Sequence, residues 1–417
     1  MRVLFLHRAF PAQFGRLALE LTTRYGWQCS FLVEHLSRCP TPSPEMLQRL
    51  TLLTLPRPAA PADKTAIPWP QQYGSTLQAA QAVHDAVRAH PQLRPDLVVA
   101  HGGLTPTLLL RGLLDCPLVD YCEYYFAPQH RDLTYRVDLP AVEPAAFFPR
   151  CINAATLLNL ADCDAGYAPT LWQQRSFPRR FWSKIAVHFD GIDTQLYRPR
   201  TLPRFINGAA VAESTRIVTF VARGLESMRG FDLFLRLAQR IQQEMTDVLF
   251  VVAGDETVYY GWDGLRTGDL TFKQWAVRQT GCDLTRFVFL NHIEPAALAE
   301  VFALSDLHVY LSVPFVVSWS LFDALATGCV VLAGDVEPVR ELIRSGENGL
   351  LEPLFDSDRL AATALRVLRD PAAFRPLGQA ARQMIEERYS LEVSIPALRD
   401  YFERVAARAP VRDNRTT

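Results

Sequence analysis

Short runs of aliphatic residues alternate with longer amphipathic segments along almost the whole chain. A run of about four to eight apolar residues is typical of a strand buried on both faces, and a helical segment after it lets the next strand run parallel. The alternation therefore predicts an α/β fold with doubly wound parallel sheets and right-handed crossovers. The predicted strands of a first group are Val3–Leu6, Cys29–Val33, Leu50–Leu55, Leu97–Ala100, Leu118–Tyr121, Ala165–Tyr167 and Ile185–Phe189. Those of a second group are Ile217–Val221, Val248–Ala253, Phe287–Leu290, Leu307–Leu311, Val330–Ala333 and Gly349–Leu351.

Two groups of strands in a chain of 417 residues indicate two domains of ordinary size. The boundary is predicted at Asp190–Asp193, a turn after a strand, followed by the irregular, proline-containing segment Tyr197–Ala210. We predict Rossmann-like domains at residues 1–195 and 196–386 that face a common cleft. An amphipathic segment at residues 387–410 is predicted to form a final helix that crosses back to the first domain.

Composition excludes several classes of protein. Because 43 Lys and Arg residues balance 44 Asp and Glu residues, the net charge of −1 gives no reason to expect nucleic acid as a partner. The eight cysteines lack metal-ligand spacing. No run approaches the roughly twenty apolar residues that cross a bilayer, and the opening MRVLFLHRAF is typical of a strand. These features predict a cytoplasmic protein.

One basic segment, Arg175–Lys184, leaves two interpretations open. Its arginines alternate with Phe177, Phe181 and Trp182, which suits a solvated helix end with packed aromatic rings. The same pattern suits peripheral contact with anionic lipid at the inner face of the membrane.

The stretch Val313–Leu351 predicts a binding site for a phosphate-bearing ligand. A predicted strand ends before a turn, and Ser318 is a suitable N-cap for the helix that follows. The N–H groups of Trp319 and Ser320, together with the positive end of the helix dipole, would bind an anion there. Asp323, one turn further on, offers a carboxylate for hydroxyl groups. An ordinary strand–helix–strand unit with a chance aspartate is the alternative.

The predicted strand Ile217–Val221 leads into a loop that contains Arg223, Gly224 and Arg229. Two guanidinium groups on one strand-to-helix loop suit the binding of a diphosphate, because each presents a planar pair of donors to phosphate oxygens. Surface ion pairs with Glu226 are the alternative. Two further strand ends are predicted to border the same crevice and to hold a base; their residues are Gly254, Asp255, His292 and Ile293.

In the first half of the chain, two strand ends carry candidate acceptor groups. His101 precedes the turn Gly102–Gly103, where it suits an acceptor ligand, a proton carrier or a hydrogen-bonded loop histidine. Glu123 follows the next strand beside Tyr124 and Tyr125, and this pattern suits sugar binding because rings stack on apolar sugar faces while a carboxylate accepts from hydroxyls. An aromatic core edge with an exposed glutamate is the alternative.

Taken in order, these segments resemble the retaining nucleotide-sugar glycosyltransferases of family 4, which have the GT-B architecture of two facing Rossmann-like domains. The resemblance covers nearly the whole chain. Its motifs in the first half are LHRAFPAQFGRLA, PDLVVAHGG, NLADCDAGYAPTLWQ and HFDGIDTQLYRP. Those in the second half are ARGLESMRGFDLF, VFLNHI, SDLHVYLSVPF and SWSLFDALATGCVVLAGDVEPVRELIRSGENGLL.

The resemblance implies a reaction as well as a fold. It implies transfer of a sugar from a nucleoside diphosphate sugar to an acceptor hydroxyl with retention of anomeric configuration, without a metal or other cofactor. Arg223 takes the place of the arginine in the family's phosphate-clamping loop, and Arg229 stands where lysine is usual, so the charge is kept. These groups and the helix amides would stabilise the departing phosphate. Closure about residues 190–199 is predicted to bring Glu123 and His101 to the donor and to exclude water.

The predicted site falls into three sets of residues. The predicted catalytic residues are Arg223, Arg229, Glu123 and His101. The predicted donor-binding residues are Gly224, Gly254, Asp255, His292, Ile293, Phe315, Ser318, Trp319, Ser320 and Asp323. The predicted acceptor side consists of Phe10, Gly102, Gly103, Tyr124 and Tyr125.

Three further positions depart from the family pattern. Relatives commonly carry two glutamates eight positions apart, one near the donor sugar and one that holds the ribose hydroxyls. Here Phe315 replaces the first and cannot act as a carboxylate, and Asp323 replaces the second with a side chain about 1.5 Å shorter. Glu123 stands where relatives place a histidine. A nucleotide-sugar-binding protein without turnover, or a solute-binding module, is therefore an alternative function.

The predicted partners are a nucleotide-sugar donor and an acceptor, which is a glycan, a lipid-linked molecule or a small molecule. The predicted process is the biosynthesis of glycans, glycolipids or glycoconjugates. The sequence does not distinguish among the candidate bases and sugars, because base choice depends on loop backbone near residues 291–293 and Phe315 removes the usual clue to the sugar.

Overall fold

The computed structural model describes residues 1–38, 40–55, 68–127, 131–139 and 148–408. Contacts divide the described chain into two compact units. The first contains residues 1–127, 148–191 and 392–408, and the second contains residues 131–139 and 192–391.

The first unit is built on a parallel sheet of seven strands in the order β5-β3-β1-β6-β7-β8-β9. Its strands, together with the short pair β2 and β4, are β1 (Arg2–Leu6), β2 (Ala9–Phe10), β3 (Gln28–Val33), β4 (His35–Leu36), β5 (Thr51–Thr54), β6 (Leu97–His101), β7 (Leu118–Tyr121), β8 (Ala165–Ala168) and β9 (Ile185–Val187). Its helices are α1 (Ala12–Tyr25), α2 (Pro44–Arg49), α3 (Pro68–Ala89), α4 (Phe148–Asp162) and α5 (Leu171–Ser176).

The second unit contains a parallel sheet of six strands in the order β14-β13-β12-β15-β16-β17 and a small antiparallel hairpin, β10-β11. Its strands are β10 (Phe205–Ile206), β11 (Ala209–Ala210), β12 (Arg216–Gly224), β13 (Val248–Asp255), β14 (Phe287–Phe289), β15 (Leu307–Tyr310), β16 (Val331–Gly334) and β17 (Leu350–Glu352). Its helices are α6 (Phe231–Glu244), α7 (Asp263–Thr267), α8 (Phe272–Thr280), α9 (Pro295–Ala303), α10 (Trp319–Thr327), α11 (Glu337–Arg340), α12 (Ser357–Arg369) and α13 (Pro371–Arg388).

The predicted α/β fold with two doubly wound parallel sheets is confirmed. In each sheet the strand order reverses beside its first central strand, at β1 next to β6 and at β12 next to β15, which is the Rossmann arrangement. Every strand of the two large sheets overlaps a predicted apolar run, with ends that differ by at most three residues. The pattern succeeds because a parallel strand is buried on both faces and needs apolar residues throughout.

Aromatic side chains fill the cores beneath both sheets. In the first unit the rings of Phe5 and Phe31 stack with centroids 5.1 Å apart. In the second, Phe220 of β12 stacks on Phe234 of α6 at 4.7 Å, and both are completely or nearly completely buried. Burial of each such ring contributes about 1.5–3 kcal/mol. These contacts fix the strand ends from which the candidate site projects.

Two segments belong to a different unit from the residues that adjoin them in the sequence. Residues 131–139 lie within the predicted first domain but belong by contact to the second unit. Helix α14 (Leu391–Arg408) packs from Glu392 onward in the first unit, where the hydroxyl of Tyr401 donates to the carbonyl of Gly166 at 2.7 Å. The last two residues of the helix predicted at 387–410 lie outside the described residues.

None of the helices in the described ranges combines the length and the apolar character that a membrane-spanning helix needs.

Candidate active site

The strand order places the predicted donor segments at one edge of the second sheet. The chain continues from β12 to β13 on one side and from β15 to β16 on the other, so a crevice opens beyond the carboxyl ends of the neighbouring strands β12 and β15. The end of β12 carries Arg223, and the turn before α10 follows β15. The structure therefore brings these two predicted segments together.

Arg223 is exposed and its guanidinium lies on an aromatic ring. The guanidinium carbon is 4.1 Å from the ring centroid of Tyr259, whose hydroxyl donates to Asp255 at 2.7 Å. His292 contacts both Arg223 and Asp255 through its ring nitrogens. Nε2 lies 2.8 Å from the carbonyl oxygen of Arg223, and Nδ1 lies 3.4 Å from the carboxylate of Asp255. Three predicted residues are thus joined by contacts, while Ile293 packs against a hydrophobic cluster of the same unit.

Arg229 is buried and its guanidinium lies beside two aromatic rings that also contact each other. Its guanidinium carbon is 5.2 Å from the ring of Tyr260 and 5.7 Å from the ring of Phe315, and these rings lie 5.0 Å apart. Its Nη1 donates to the carbonyl of Val316 at 3.1 Å. The ring of Phe315 is therefore an apolar wall for the guanidinium of Arg229, which cation–π attraction helps to hold.

Glu226 is a component of this loop whose role sequence reasoning missed. Its side chain is completely buried, and Oε2 accepts from the backbone N–H groups of Tyr259 at 2.6 Å and Tyr260 at 3.0 Å. Burial raises the pKa of this carboxyl to about 7, and the nearby Arg229 opposes the shift. Glu226 thus fixes the backbone of the two tyrosines whose rings lie on the two arginines, and it is not a partner for surface ion pairs.

Glycines allow the strand ends to approach closely. At Gly254, φ is +143° and an added Cβ would overlap the carbonyl oxygen of Ala222 in β12. A Cβ at Gly224 would likewise overlap the carbonyl oxygen of Thr257. Both predicted donor-binding glycines therefore have a steric reason to lack side chains, because backbone occupies the space.

The start of α10 confirms the predicted N-cap. The hydroxyl oxygen of Ser318 accepts from the backbone N–H of Ser320 at 3.4 Å and lies 2.8 Å from its hydroxyl. The backbone N–H of Ser318 donates to the hydroxyl of Tyr310 at 3.0 Å, and Trp319 is 40% exposed. An anion at this helix end would meet N–H groups and the positive end of the helix dipole.

Asp323 is buried on α10. Burial raises the pKa of this carboxyl well above its usual range, a hydrogen bond with Tyr197 opposes the shift, and the charge of Asp193 adds to it. In this structure the carboxyl therefore contacts the segment that follows β9. Contact between Asp323 and a ribose stays a prediction.

In the first unit, polar side chains meet at the carboxyl ends of β1, β6 and β7. Nε2 of His101 lies 3.3 Å from Oε2 of Glu123, close enough for an ion pair although outside hydrogen-bond geometry. Gln13 donates to Oε1 of Glu123 at 3.3 Å. The structure thus brings together the two residues that were predicted to act on the acceptor.

His7 also belongs to this cluster. The sequence analysis did not single it out, although it follows the central strand β1 as His101 ends β6. Its ring centroid is 5.2 Å from that of His101. Burial, together with the neighbouring imidazole of His101, lowers the pKa of His7 to about 3, so its ring is neutral at pH 7. Among the described residues, Nε2 of His7 has no hydrogen-bond partner. A hydroxyl-bearing ligand would supply one.

The other predicted acceptor side chains are less accessible. Phe10 is fully buried with its ring 4.9 Å from Phe31, and the ring of Tyr125 packs 5.7 Å from Phe177 beside the core. Tyr124 is also buried. The side chains of Phe10 and Tyr125 therefore pack beside the sheet. For Tyr125 this agrees with the alternative of an aromatic core edge. Their contact with an acceptor stays a prediction.

Asp120 lies beneath the predicted turn at Gly102 and Gly103. A Cβ at Gly102 would overlap its carboxylate, whereas Gly103 is exposed. Asp120 is 1% exposed, and burial raises its pKa to about 7, with Asn159 as the largest opposing influence. The buried carboxyl therefore favours its protonated form up to neutral pH.

We expect Asp120→Asn to stabilise the protein at high pH. Between pH 4 and 7 the folded state keeps a proton that the unfolded state has lost, so the contribution of this carboxyl to stability disappears as pH rises through 7. At pH 8 the variant should gain about 4 kcal/mol relative to its difference from wild type at pH 4. Thermal unfolding at both pH values measures this, with the exposed Asp115→Asn as control. An identical pH dependence in wild type and Asp120→Asn would contradict the expectation.

The aromatic residues of the basic segment differ in burial. Phe177 lies in the hydrophobic core of the first unit, and the half-buried Phe181 packs against that core. Trp182 is also half-buried, and its indole N–H donates to the carbonyl of Phe177 at 2.8 Å. Arg179 and Arg180 are exposed, and contact of this segment with lipid stays a prediction.

Within the described ranges, no group of three or more His, Cys, Asp or Glu side chains is arranged to hold a metal ion. Independence from metal stays a prediction.

Two domain families match this chain. Residues 26–197 match the glycosyl transferase family 4 group, and residues 215–370 match glycosyl transferases group 1. N-acetyl-alpha-D-glucosaminyl L-malate synthase of Bacillus anthracis is 23% identical over 216 residues, which are 50% of each chain. The chain spans about half the length of the curated relatives that it matches.

Solved structures share the whole architecture. Sucrose-phosphate synthase of Thermosynechococcus elongatus superposes with a TM-score of 0.73 over 98% of this chain and 99% of its own, at 18% identity. HepE of Anabaena, solved in complex with UDP and glucose, gives a TM-score of 0.70 over 97% of this chain and 100% of its own, at 18% identity. The chain therefore has the GT-B fold, with a first segment that matches the glycosyl transferase family 4 group and a second that matches glycosyl transferases group 1.

Proposed function

We propose that this protein transfers a sugar from a nucleoside diphosphate sugar to an acceptor hydroxyl, with retention of anomeric configuration and without a metal. The observation that carries the proposal is the arrangement at the second sheet. Arg223 and Arg229 lie on rings beside the crevice where β12 and β15 end, and the capped start of α10 follows β15. Two guanidinium groups and a helix N-terminus suit a diphosphate leaving group.

The proposed chemistry places positive charge where negative charge develops. Breaking the bond between sugar and diphosphate leaves charge on the phosphate, and the Arg223 and Arg229 guanidinium groups would stabilise it more in the transition state than in the ground state. On the acceptor side, Glu123 and His101 would orient the hydroxyl, because their carboxylate and imidazole lie within 3.3 Å of each other. The acceptor proton would leave with the departing phosphate.

UDP-sugars are the first donors to test, because HepE, which shares the fold, was solved with UDP and glucose. The acceptor belongs to glycan, glycolipid or small-molecule biosynthesis in this proposal. The proposal also places the protein in the cytoplasm, with peripheral contact at the inner face of the membrane. The exposed Arg179 and Arg180 support this contact, and flotation with anionic vesicles would measure it.

A panel of donors tests the proposal directly. We expect one of UDP-, GDP-, ADP- or dTDP-glucose to raise the melting temperature and to release its nucleoside diphosphate slowly in the absence of an acceptor. Stabilisation by free glucose, with no response to any nucleotide, would instead favour a solute-binding module. Failure of every nucleotide to bind or to be released would contradict the proposal.

A nucleotide-sugar-binding protein without turnover is the second candidate. Two observations favour it: Phe315 is buried against Arg229 where relatives commonly carry a glutamate, and the carboxyl of Asp323 is buried and hydrogen-bonded with Tyr197. Measurable binding of a nucleotide sugar, with no release of nucleotide in the presence of mixed glycan and lipid-linked acceptors, would identify this function.

A further inference from the structure

The segment 131–139, which we name the strap, precedes α4 in the chain but is part of the second unit. Its contacts hold it at both ends. The backbone N–H of Asp132 donates to the carbonyl of Pro314 at 3.2 Å, and Arg266 donates to the carbonyl of Leu139 at 3.2 Å. Between them, the ring of Tyr135 stacks on Phe355 at 5.8 Å. The strap is therefore fixed beside the turn that leads into α10.

Arg136 is the most deeply buried cation of the strap, with a side chain 3% exposed. Its guanidinium binds Asp232 of α6 through two nitrogens, Nη2 to Oδ2 at 2.6 Å and Nη1 to Oδ1 at 3.0 Å. The same Nη1 donates to the backbone carbonyl of Ser227 at 3.1 Å. Asp138, on the strap itself, accepts from Nε and Nη2 at 2.8 Å. One planar group thus joins the strap, the start of α6 and the loop before it.

Ser227 is the first residue of the 3-10 turn Ser227–Arg229. Its backbone N–H and its hydroxyl donate to the two oxygens of Asp263, at 2.7 and 2.6 Å. With its carbonyl bound by Arg136, every polar group of this residue has a partner. The turn that carries Arg229 is consequently held by one charged side chain on each side.

A guanidinium suits this place better than an ammonium. The site requires simultaneous, directional bonds to a carbonyl and to both oxygens of a carboxylate, and the planar fork of arginine supplies them without reorientation. A lysine would keep the charge but satisfy fewer of these acceptors at once. The side chain of Arg136 is therefore matched to fixing geometry, beyond neutralising Asp232.

We propose that Arg136 is a positioning residue of the donor site: it fixes the Ser227–Arg229 turn and thereby sets the guanidinium of Arg229 where the diphosphate of the donor binds. This inference rests on the proposed function. It assigns a role in the second unit to a residue that comes from the first half of the chain. Arg136 would not contact the donor, since its guanidinium is occupied by Asp232, Asp138 and Ser227.

The test measures binding of UDP, GDP, ADP and dTDP by titration calorimetry to wild type and to Arg136→Met/Asp232→Asn. The double variant leaves neither buried charge of the pair unpaired, which protects folding. We expect the dissociation constant of the nucleotide that wild type binds to rise about 10-fold or more, and Arg136→Lys to give a smaller rise. Arg369→Met, which removes an exposed ion pair with Glu244 at the opposite end of α6 from Asp232, is the matched control and should stay within about twofold.

A second comparison separates positioning from general destabilisation. In an Arg229→Ala background, the same double substitution should change the dissociation constant by less than about twofold, because the group that Arg136 positions is already absent. An equal loss in both backgrounds would show that Arg136 acts through the fold alone and would overturn the inference. So would wild-type affinity in the double variant. Absence of binding by wild type to all four nucleotides would overturn the proposed function, and the inference with it.

Discussion

Replacing Arg229 by alanine is expected to lower kcat/KM for the donor about 100-fold or more, since a preorganised group that stabilises developing charge contributes on this scale. The guanidinium is already immobilised by Tyr260, Phe315 and the carbonyl of Val316, so little ordering is needed when the donor binds. Initial rates of nucleotide release at several donor concentrations measure the effect. The loss should fall on kcat as well as KM if the charge acts on the departing phosphate.

Two variants sharpen this expectation. Arg229→Lys restores the positive charge but loses the planar contact with the rings, so we expect it to recover about 10-fold of the lost activity. Arg344→Ala removes an exposed arginine, paired with Glu347 at 3.6 Å, and should leave the kinetics unchanged. Full activity of Arg229→Ala would contradict the proposed role of the loop.

The fold was predictable because its dominant signal is local. A strand such as β7, predicted and observed at Leu118–Tyr121, is buried at every position and therefore consists of a short run with no need of alternation. The N-cap at Ser318 was predictable for the same reason, since the capping oxygen and the N–H that it accepts from lie two residues apart. The pairs β2-β4 and β10-β11 were not predicted, because strands of two residues are too short to produce a pattern.

The parts of the site that were not predicted depend on contacts between distant residues. Glu226 was named only in the alternative interpretation, as a surface partner for the arginines, but it accepts from backbone N–H groups 33 and 34 residues later. Arg136 binds Asp232, which lies 96 residues later in the chain, and nothing in the amino-acid sequence of the strap indicates this pairing. Phe10 was assigned to the acceptor side from its place in an opening motif, which carries no information on whether its ring points to the core.

Phe315 affects the charge that Arg229 presents. Its ring and that of Tyr260 lie beside the Arg229 guanidinium, whereas a glutamate at position 315 would place a carboxylate near the same cation. Without that carboxylate, the positive charge of Arg229 is less compensated and more available to a diphosphate. In the proposed function, binding of the leaving group would gain and a contact to the sugar would be lost, which fits an active enzyme as well as a binding protein.

We expect Gly254→Ala to destabilise the second unit by about 3 kcal/mol or more. The backbone at this position has φ of +143°, a region essentially restricted to glycine, and the added methyl group would overlap the carbonyl oxygen of Ala222. The strain has no simple relief, because the backbone N–H of Gly254 donates to the carbonyl of Asn291 at 2.8 Å and β12 is paired along β13. Thermal unfolding should show a fall in melting temperature of about 6–12 °C.

Gly264→Ala is the matched control for this substitution. Gly264 lies in α7 of the same unit, and a Cβ there would meet no atom within 4 Å, so alanine should be neutral or stabilise the unit by about 0.4–1 kcal/mol. If the Gly254→Ala variant had the same melting temperature as wild type, β12 and β13 would have to separate easily at their carboxyl ends. Because Arg223 directly follows Ala222, such freedom would also contradict a rigid diphosphate clamp. The strain expected in Gly254→Ala and the fixed position of Arg223 therefore depend on the same close approach of Gly254 to the carbonyl of Ala222.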